Sequence, residues 1–355
     1  MKNVKHIALF SILCLLVMIP AAFAAGNETA IAAVAADDGV IAADVSVGDN
    51  LTADYYFDAN FENGTGNGTQ DNPYTNLSYS YVKANSVLHF ANGEYSLDRY
   101  AYLNNVSIIG QNPENTIIRY DGVGFYVTNK LIIQNVTLID LAVTVNENAS
   151  VNITNAIFKD SHTSTGGAIN IKAGSTVILE NCPFLNNSAT EGGAIYSSGA
   201  VLKINDCLFI NNTATNWGGA IVSVSENKLT IKRSKFINSL AIEDAGGAIY
   251  SLKSRLSLRD VEIVNSSATF GAAITSLKSN STIVNLTSVG NMAKFNGGAI
   301  YNMYGKISIS NSTFSKVPSP FRGYDFSAST FPLESRRLSH TFWAPELDLM
   351  RRTPS

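Results

Sequence analysis

The chain has 355 residues, a formal net charge of -3 and a pI near 5.8. With no basic surplus and no gathering of its Lys and Arg into a patch, it lacks the electrostatic footprint of a nucleic-acid binder. Its length allows one large or two ordinary domains, and the repeats described below favour one elongated domain, because repeat units pack only on their neighbours.

Residues 1–24 read as a secretory signal: Lys2 and Lys5 supply the charged start, Ile7 to Ile19 the apolar run, and Ala22-Phe23-Ala24 a small-x-small site with cleavage after Ala24. The apolar run is shorter than the ~20 residues a membrane span needs, so no stable transmembrane span is expected once the signal is removed. Cys14 leaves with it. About fifteen Asn-x-Ser/Thr triplets, among them Asn50, Asn63, Asn105, Asn135, Asn186, Asn211, Asn265 and Asn285, fit a secreted, extracellular or cell-surface protein. A chain this rich in Asn, Ser and Thr also forms such triplets by chance. Residues 25–53 are Ala-rich without strand or helix periodicity, which predicts a flexible leader.

From Asp54 the pattern changes. Tyr55-Tyr56-Phe57 is β-prone, Asn63 to Thr69 is a turn-rich loop, and Tyr74, Leu77, Tyr81 and Val82 are spaced for a helical turn. Val87 to Phe90 predicts a strand and Ala91 to Tyr95 a turn. An element unlike the later repeats, placed before them, predicts the capped start of a solenoid. Between Leu103 and Asn155 short β-branched runs (Val106 to Gly110, Thr116 to Ile118, Leu131 to Ile133, Val136 to Ile139) are separated by Asn, Gly and Pro. No helical segments divide them, which argues for an all-β coil and against βαβ units.

Two motifs then recur with a common period of about 26 residues. Gly-Gly-Ala-Ile starts at Gly166, Gly192, Gly218, Gly246 and Gly297, with the variant Gly271-Ala272-Ala273-Ile274. Out of phase with it runs an apolar residue, any residue, then Asn or Asp: Phe158-Lys159-Asp160, Phe184-Leu185-Asn186, Phe209-Ile210-Asn211, Phe236-Ile237-Asn238, Ile263-Val264-Asn265 and Val289-Gly290-Asn291. Apolar residues seven and five positions before each Phe, such as Val177 and Leu179 or Leu202 and Ile204, alternate with polar ones and predict a strand with one buried face. Three residues before the Phe stands Asn or Asp at a predicted turn, with Arg233 and Leu286 as departures. The glycine pair predicts a corner, and Ile followed by Tyr196, Tyr250 or Tyr301 predicts the next strand.

Such a coil, stacked on its copies at the ~4.8 Å strand spacing, predicts columns of Gly, Ala, Ile, Phe and Asn. The predicted fold is all-β: a right-handed parallel β-helix, or pectin-lyase-like solenoid, over residues 54–316 with an N-terminal cap. Roughly ten coils would make a rod on the order of 50 Å long. Cys182 and Cys207 fall in one column of adjacent coils, about 4.8 Å apart. That lies within disulfide range, and buried free thiols are the competing reading. After Phe314 the repeat stops: residues 317–355 contain no Asn, while five of nine prolines fall there. This predicts an atypical tail, disordered or read in a shifted frame.

The paired motifs resemble the repeats of chlamydial polymorphic outer-membrane proteins and of adhesin-like surface proteins of methanogenic archaea. The start, Tyr55 to Ala59 with Gly66 to Thr69 and Asn72-Pro73-Tyr74, is similar to the opening of the archaeal group. The resemblance covers about residues 54–316 and implies a surface stalk that adheres to glycans or proteins of a host or neighbouring cell. Neither an outer-membrane barrel nor wall-binding repeats can be traced after the coils.

Polysaccharide lyases and glycoside hydrolases also use parallel β-helices, so an enzyme is the alternative to a scaffold. Glu191 and Asp244 near the Gly-Gly corner are the candidate carboxyl pair, two coils or about 10 Å apart, slightly beyond the inverting range. Asn216 holds the corner between them. No stacked acidic cluster suits Ca²⁺, and His6, His89, His162 and His340 share no ligand spacing. No metal, cofactor or catalytic group is therefore predicted. Tyr196 and Trp217 are candidates for stacking on sugar rings, against the plainer reading that they pack on the neighbouring coil. The expected mode is binding by an extended repeat surface.

Overall fold

The computed structural model describes residues 51, 53–62, 64, 66–315 and 340–342. The signal and cleavage site, almost all of the leader and most of the tail lie outside the described residues.

The described chain is a parallel β-helix of about nine turns. One turn serves for all. Thr176–Glu180, Pro183–Leu185, Ser188–Glu191 and Ile195–Ser198 are its four strands, and each pairs in parallel with its counterpart one turn on. Four ladders result. The first runs from Ala53–Phe57 to Lys306–Ser310, the second from Gly93–Ser96 to Thr313–Ser315, and the fourth from Ala101–Leu103 to Ile300–Met303. The third is shorter, from His162–Thr165 to Met292–Ala293. Parallel pairing between turns satisfies the strand amides and carbonyls, so short strands with no hairpin partner are stable here.

Three of the four corners take one residue with left-handed backbone, and the sequence supplies it in columns. Between the first and second strands it is Asn155, Asn181, Asp206, Arg233, Asp260, Asn285 and Asn311; between the second and third, Asp160, Asn186, Asn211, Asn238, Asn265 and Gly290; between the third and fourth, the first glycine of each pair. The exposed amides bond along the stack, with Asn155 donating to Asn135 at 2.7 Å, Asn181 to Asn155 at 3.1 Å and Asn211 to Asn186 at 3.2 Å. Arg233 departs in type but keeps the left-handed conformation (φ 46), and its guanidinium donates to both carboxylate oxygens of Asp206 at 2.8 and 2.6 Å.

The interior holds matching columns. Phe158, Phe184, Phe209 and Phe236 are fully buried and stack face to face, with centroids 4.8, 4.7 and 4.6 Å apart and rings within 5° of parallel. The strand spacing dictates that distance, since identical side chains one turn apart must repeat it. Next in the column come Ile263, Ser288 and Phe314.

That register corrects two readings of the sequence. The motif at Val289-Gly290-Asn291 is displaced by one residue: Ser288 holds the Phe position, and Gly290 (φ 67) takes the corner. Counted from Ser288, the turn residue is Asn285, which donates to Asp260 at 2.6 Å, so the departure at Leu286 disappears. A polar Ser in an apolar column hid the frame. Its hydroxyl is buried but accepts from the Asn291 side chain at 2.9 Å.

The helical spacing around Tyr74 is a further correction. Tyr79–Tyr81 forms one 3-10 turn capped by Ser78, and no longer helix follows. Tyr74 is instead bound into extended structure beside the first ladder, its amide donating to the Tyr56 carbonyl at 2.9 Å and its carbonyl accepting from Asp58 at 2.8 Å. The spacing reflects ring packing: Tyr74 and Tyr81 stack at 3.8 Å against Phe57, which in turn stacks on Phe90.

Cys182 and Cys207 do share a column, and both are buried free thiols. The Cys182 amide donates to the Cys207 sulfur at 3.4 Å, and each thiol turns to a carbonyl of its own strand, Glu180 and Asn205, at 3.1 Å. Burial pushes the Cys207 thiol well above its ordinary pKa, which disfavours the reactive thiolate. At the far end, His340–Phe342 pairs antiparallel with Ile307–Ile309 on the last strand of the first ladder. No further coil is formed there among the described residues.

Candidate binding site at the Gly-Gly corner

The corner between the third and fourth strands sets the site. The first glycine of each pair has φ between 57 and 73, and the second lies against the next turn. A Cβ on Gly193 would stand 2.1 Å from the Gly219 carbonyl oxygen. Backbones of successive turns therefore touch here, and the residue before each pair turns outward. This file reads Thr165, Glu191, Trp217, Ala245, Phe270 and Asn296. Beside it runs the outward file of the fourth ladder: Asn170, Tyr196, Val222, Tyr250, Thr275 and Tyr301. Contacts join the two files: Asn170 donates to Thr165 Oγ1 at 2.9 Å, Thr275 to the Phe270 carbonyl at 3.1 Å, and Phe270 lies 5.4 Å from the Tyr301 ring.

Trp217 is the centre of this surface. The third ladder is irregular between Ala189 and Glu191, so that Trp217 pairs with Glu191 after an extra residue in its strand. Its indole Nε1 donates to Asp244 Oδ2 at 2.6 Å, and its ring stacks on Tyr250 at 5.6 Å and 18°. Val222, Ala245 and Tyr250 form a small buried cluster outside the coil, flanked by half-buried Tyr196, Trp217, Val224, Leu252, Phe270 and Leu277. This apolar cluster lies apart from the interior columns and fixes the position of the rings around it.

The acids and phenols here are electrostatically linked. Burial raises the pKa of the Glu191 carboxyl. Burial and then the Glu191 charge raise that of Tyr196. Tyr250 is pushed up to about 12, by burial first and then by Asp244 and Glu191. In the cap, burial likewise takes Tyr95 to about 12, its hydroxyl held by the Ala91 carbonyl at 2.9 Å.

An alkaline limit to stability follows. Unfolded phenols ionise near their ordinary value of about 10, whereas the folded chain keeps Tyr95 and Tyr250 protonated to about 12. The folded state therefore binds more protons across that window. The contribution of these two phenols is constant below about pH 10 and is lost as pH rises towards about 12. Urea unfolding midpoints measured over this range check it, and Tyr95→Phe is expected to flatten the fall.

All four candidates read from the sequence meet on this surface: Glu191, Tyr196, Trp217 and Asp244. Tyr250, Phe270 and Tyr301 were missed as site residues. The signal for the two tyrosines was present, since Tyr196, Tyr250 and Tyr301 each follow a Gly-Gly-Ala-Ile copy and so repeat in phase at one outward position. A second file was invisible. Ser161, Asn187, Asn212, Ser239, Ser266 and Asn291, each the residue after Phe-x-Asn/Asp or its equivalent, are buried. Asn187 donates to the Phe158 carbonyl at 3.2 Å and Asn212 to the Phe184 carbonyl at 2.9 Å, satisfying backbone that the corner leaves open. That column is scaffold.

Residues 184–198 and 206–224 match the Chlamydia polymorphic membrane protein repeat, so the chain carries repeats of this type within a parallel β-helix. No curated protein matches the chain. Among solved structures, ORF18 of Geobacillus virus E2 is similar with a TM-score of 0.33 and 12% identity, over 64% of this chain and 54% of that one. The A-module of the Azotobacter vinelandii mannuronan C-5 epimerase AlgE4 is similar with a TM-score of 0.19 and 10% identity, over 66% of this chain and 89% of that one. The chain thus spans about half the length of ORF18, and likenesses this low carry no argument about activity. No helix among the described residues is long and apolar enough to cross a membrane.

Proposed function

We propose that this is a secreted or cell-surface, adhesin-like β-helix that binds glycans of a host or neighbouring cell through its outer repeat surface. The observation that carries the reading is the Trp217 assembly, in which an indole is fixed by Asp244 and stacked on Tyr250, with Tyr196 and Glu191 alongside. Half-buried rings beside carboxylates suit a sugar, which offers C–H faces to the rings and hydroxyl donors to the acids. The surface association implied by the repeat's name, and the resemblance to archaeal adhesin-like proteins, support the same reading. Nothing in it requires a cofactor, a metal or nucleic acid.

A second reading, a polysaccharide lyase or hydrolase, draws on the two carboxyls in unlike surroundings: Glu191 raised by burial, Asp244 accepting from the indole. It is the weaker reading because Asp244 already serves to hold Trp217. A glycan array probed with the purified chain, run beside a depolymerisation assay, tests both. Binding is expected to fall about tenfold or more in Trp217→Ala, with the circular dichroism spectrum unchanged. Turnover of a polymer, abolished by Glu191→Gln or Asp244→Asn, would overturn the binding reading in favour of the enzyme.

A further inference from the structure

The outward file of the fourth ladder extends well beyond the Trp217 assembly. Its register reads Tyr102, Tyr126, Thr144, Asn170, Tyr196, Val222, Tyr250, Thr275, Tyr301, each residue directly beside the next across one turn. Eight steps at the strand spacing make this line about 38 Å long. Five of its nine positions are tyrosine, and the polar Thr144, Asn170 and Thr275 separate them. At its start Tyr102 is 61% exposed and meets Tyr126 at 5.5 Å and Tyr100 at 5.8 Å, while the Arg99 guanidinium lies 5.3 Å from the Tyr100 ring centre. In the middle, where Val222, Tyr250 and Thr275 are buried, the half-buried Trp217 and Phe270 cover the line and replace it as the accessible rings.

Resting on the glycan reading above, we infer that the ligand is a neutral linear polysaccharide lying parallel to the stacking axis, along the track from Tyr102 to Tyr301. Three observations carry this. The rings recur along one straight line and not around a pocket, so a rod-like polymer can meet several at once. Buried Tyr250 backs Trp217, so the exposed or half-buried rings are Tyr102, Tyr126, Tyr196, Trp217, Phe270 and Tyr301, spread along the axis where successive pyranose units can meet several of them. The carboxylates of Glu191 and Asp244 beside the centre accept hydroxyl hydrogens and repel a polyuronate, which sets the charge class. A protein partner would instead cover the neighbouring aliphatic file of Val224, Leu252, Leu277 and Met303.

The test is a titration of the full chain with disaccharides through decasaccharides of neutral β-linked glucan, mannan, galactan and chitin, with oligogalacturonate as the anionic comparator. Affinity is expected to rise at least about tenfold with length for one neutral series, and Tyr102→Ala/Tyr126→Ala is expected to remove that gain for long chains while leaving short-chain binding unchanged. Binding of a neutral sugar with no dependence on length, or a length dependence untouched by the double substitution, overturns the track and leaves the Trp217 site standing. Preference for oligogalacturonate overturns the charge class. Failure of every glycan, with loss of a protein partner in Leu252→Asp, overturns the glycan reading itself.

Discussion

Gly192→Val is expected to cost the fold about 4 kcal/mol or more, the range reserved for substitutions that break a structural rule outright. Two penalties combine. The residue sits at φ 66, where a β-branched side chain is a steric outlier, and its Cβ would stand 2.3 Å from the Ile195 carbonyl oxygen and 3.1 Å from the Tyr196 amide nitrogen. Both contacts are backbone, so no rotamer relieves them. The chain itself supplies the control. Its variant copy keeps the first glycine, Gly271, and replaces only the second, by buried Ala272. Gly271→Val should therefore be as damaging as Gly192→Val. Thermal unfolding followed by circular dichroism reads both, and a midpoint for Gly192→Val within a few degrees of wild type would show that the corner is not held by this geometry.

Phe209→Ala should remove about 3–5 kcal/mol. The ring is fully buried between Phe184 and Phe236, at 4.7 and 4.6 Å, so truncation opens a cavity with aromatic walls on both sides along the axis. Because each turn packs only on its neighbours, the loss falls on two interfaces and should divide the stack at that turn. Hydrogen exchange should accelerate most in Val201–Asn205, Leu208–Ile210 and the strands stacked on them. Phe209→Leu, which keeps most of the volume, should recover more than half of the stability. Uniform loss of protection along the whole solenoid would contradict this local account.

The fold was legible because repetition multiplies a weak signal. One Phe-x-Asn or one Gly-Gly says little, but phased copies fix a period, and the strand spacing converts that period into columns of like residues. Legibility failed where a position changes chemical type while keeping its geometry. Ser288 hides a Phe position, and Arg233 hides a left-handed turn residue. It failed again around Tyr74, where ring packing imitates helical spacing. The candidate site was half legible. Glu191, Tyr196, Trp217 and Asp244 could be named from their nearness to the glycine pair, yet the indole-to-carboxylate bond depends on an extra residue in the strand ending at Trp217. Column arithmetic at a fixed period cannot foresee which way such a side chain is turned. The Tyr102 to Tyr301 line was hidden for another reason, since its early members precede the regular repeats and join the file only through the strand register.

Trp217, at the centre of the proposed binding surface, is its own reporter. The chain has two tryptophans, Trp217 and Trp343. In a Trp343→Phe variant the emission of Trp217 alone can be followed while the glycan selected from the array is titrated. A saturable change in emission, with a midpoint equal to the dissociation constant measured by calorimetry, is the predicted result. Calorimetric binding with no change in Trp217 emission would contradict the account.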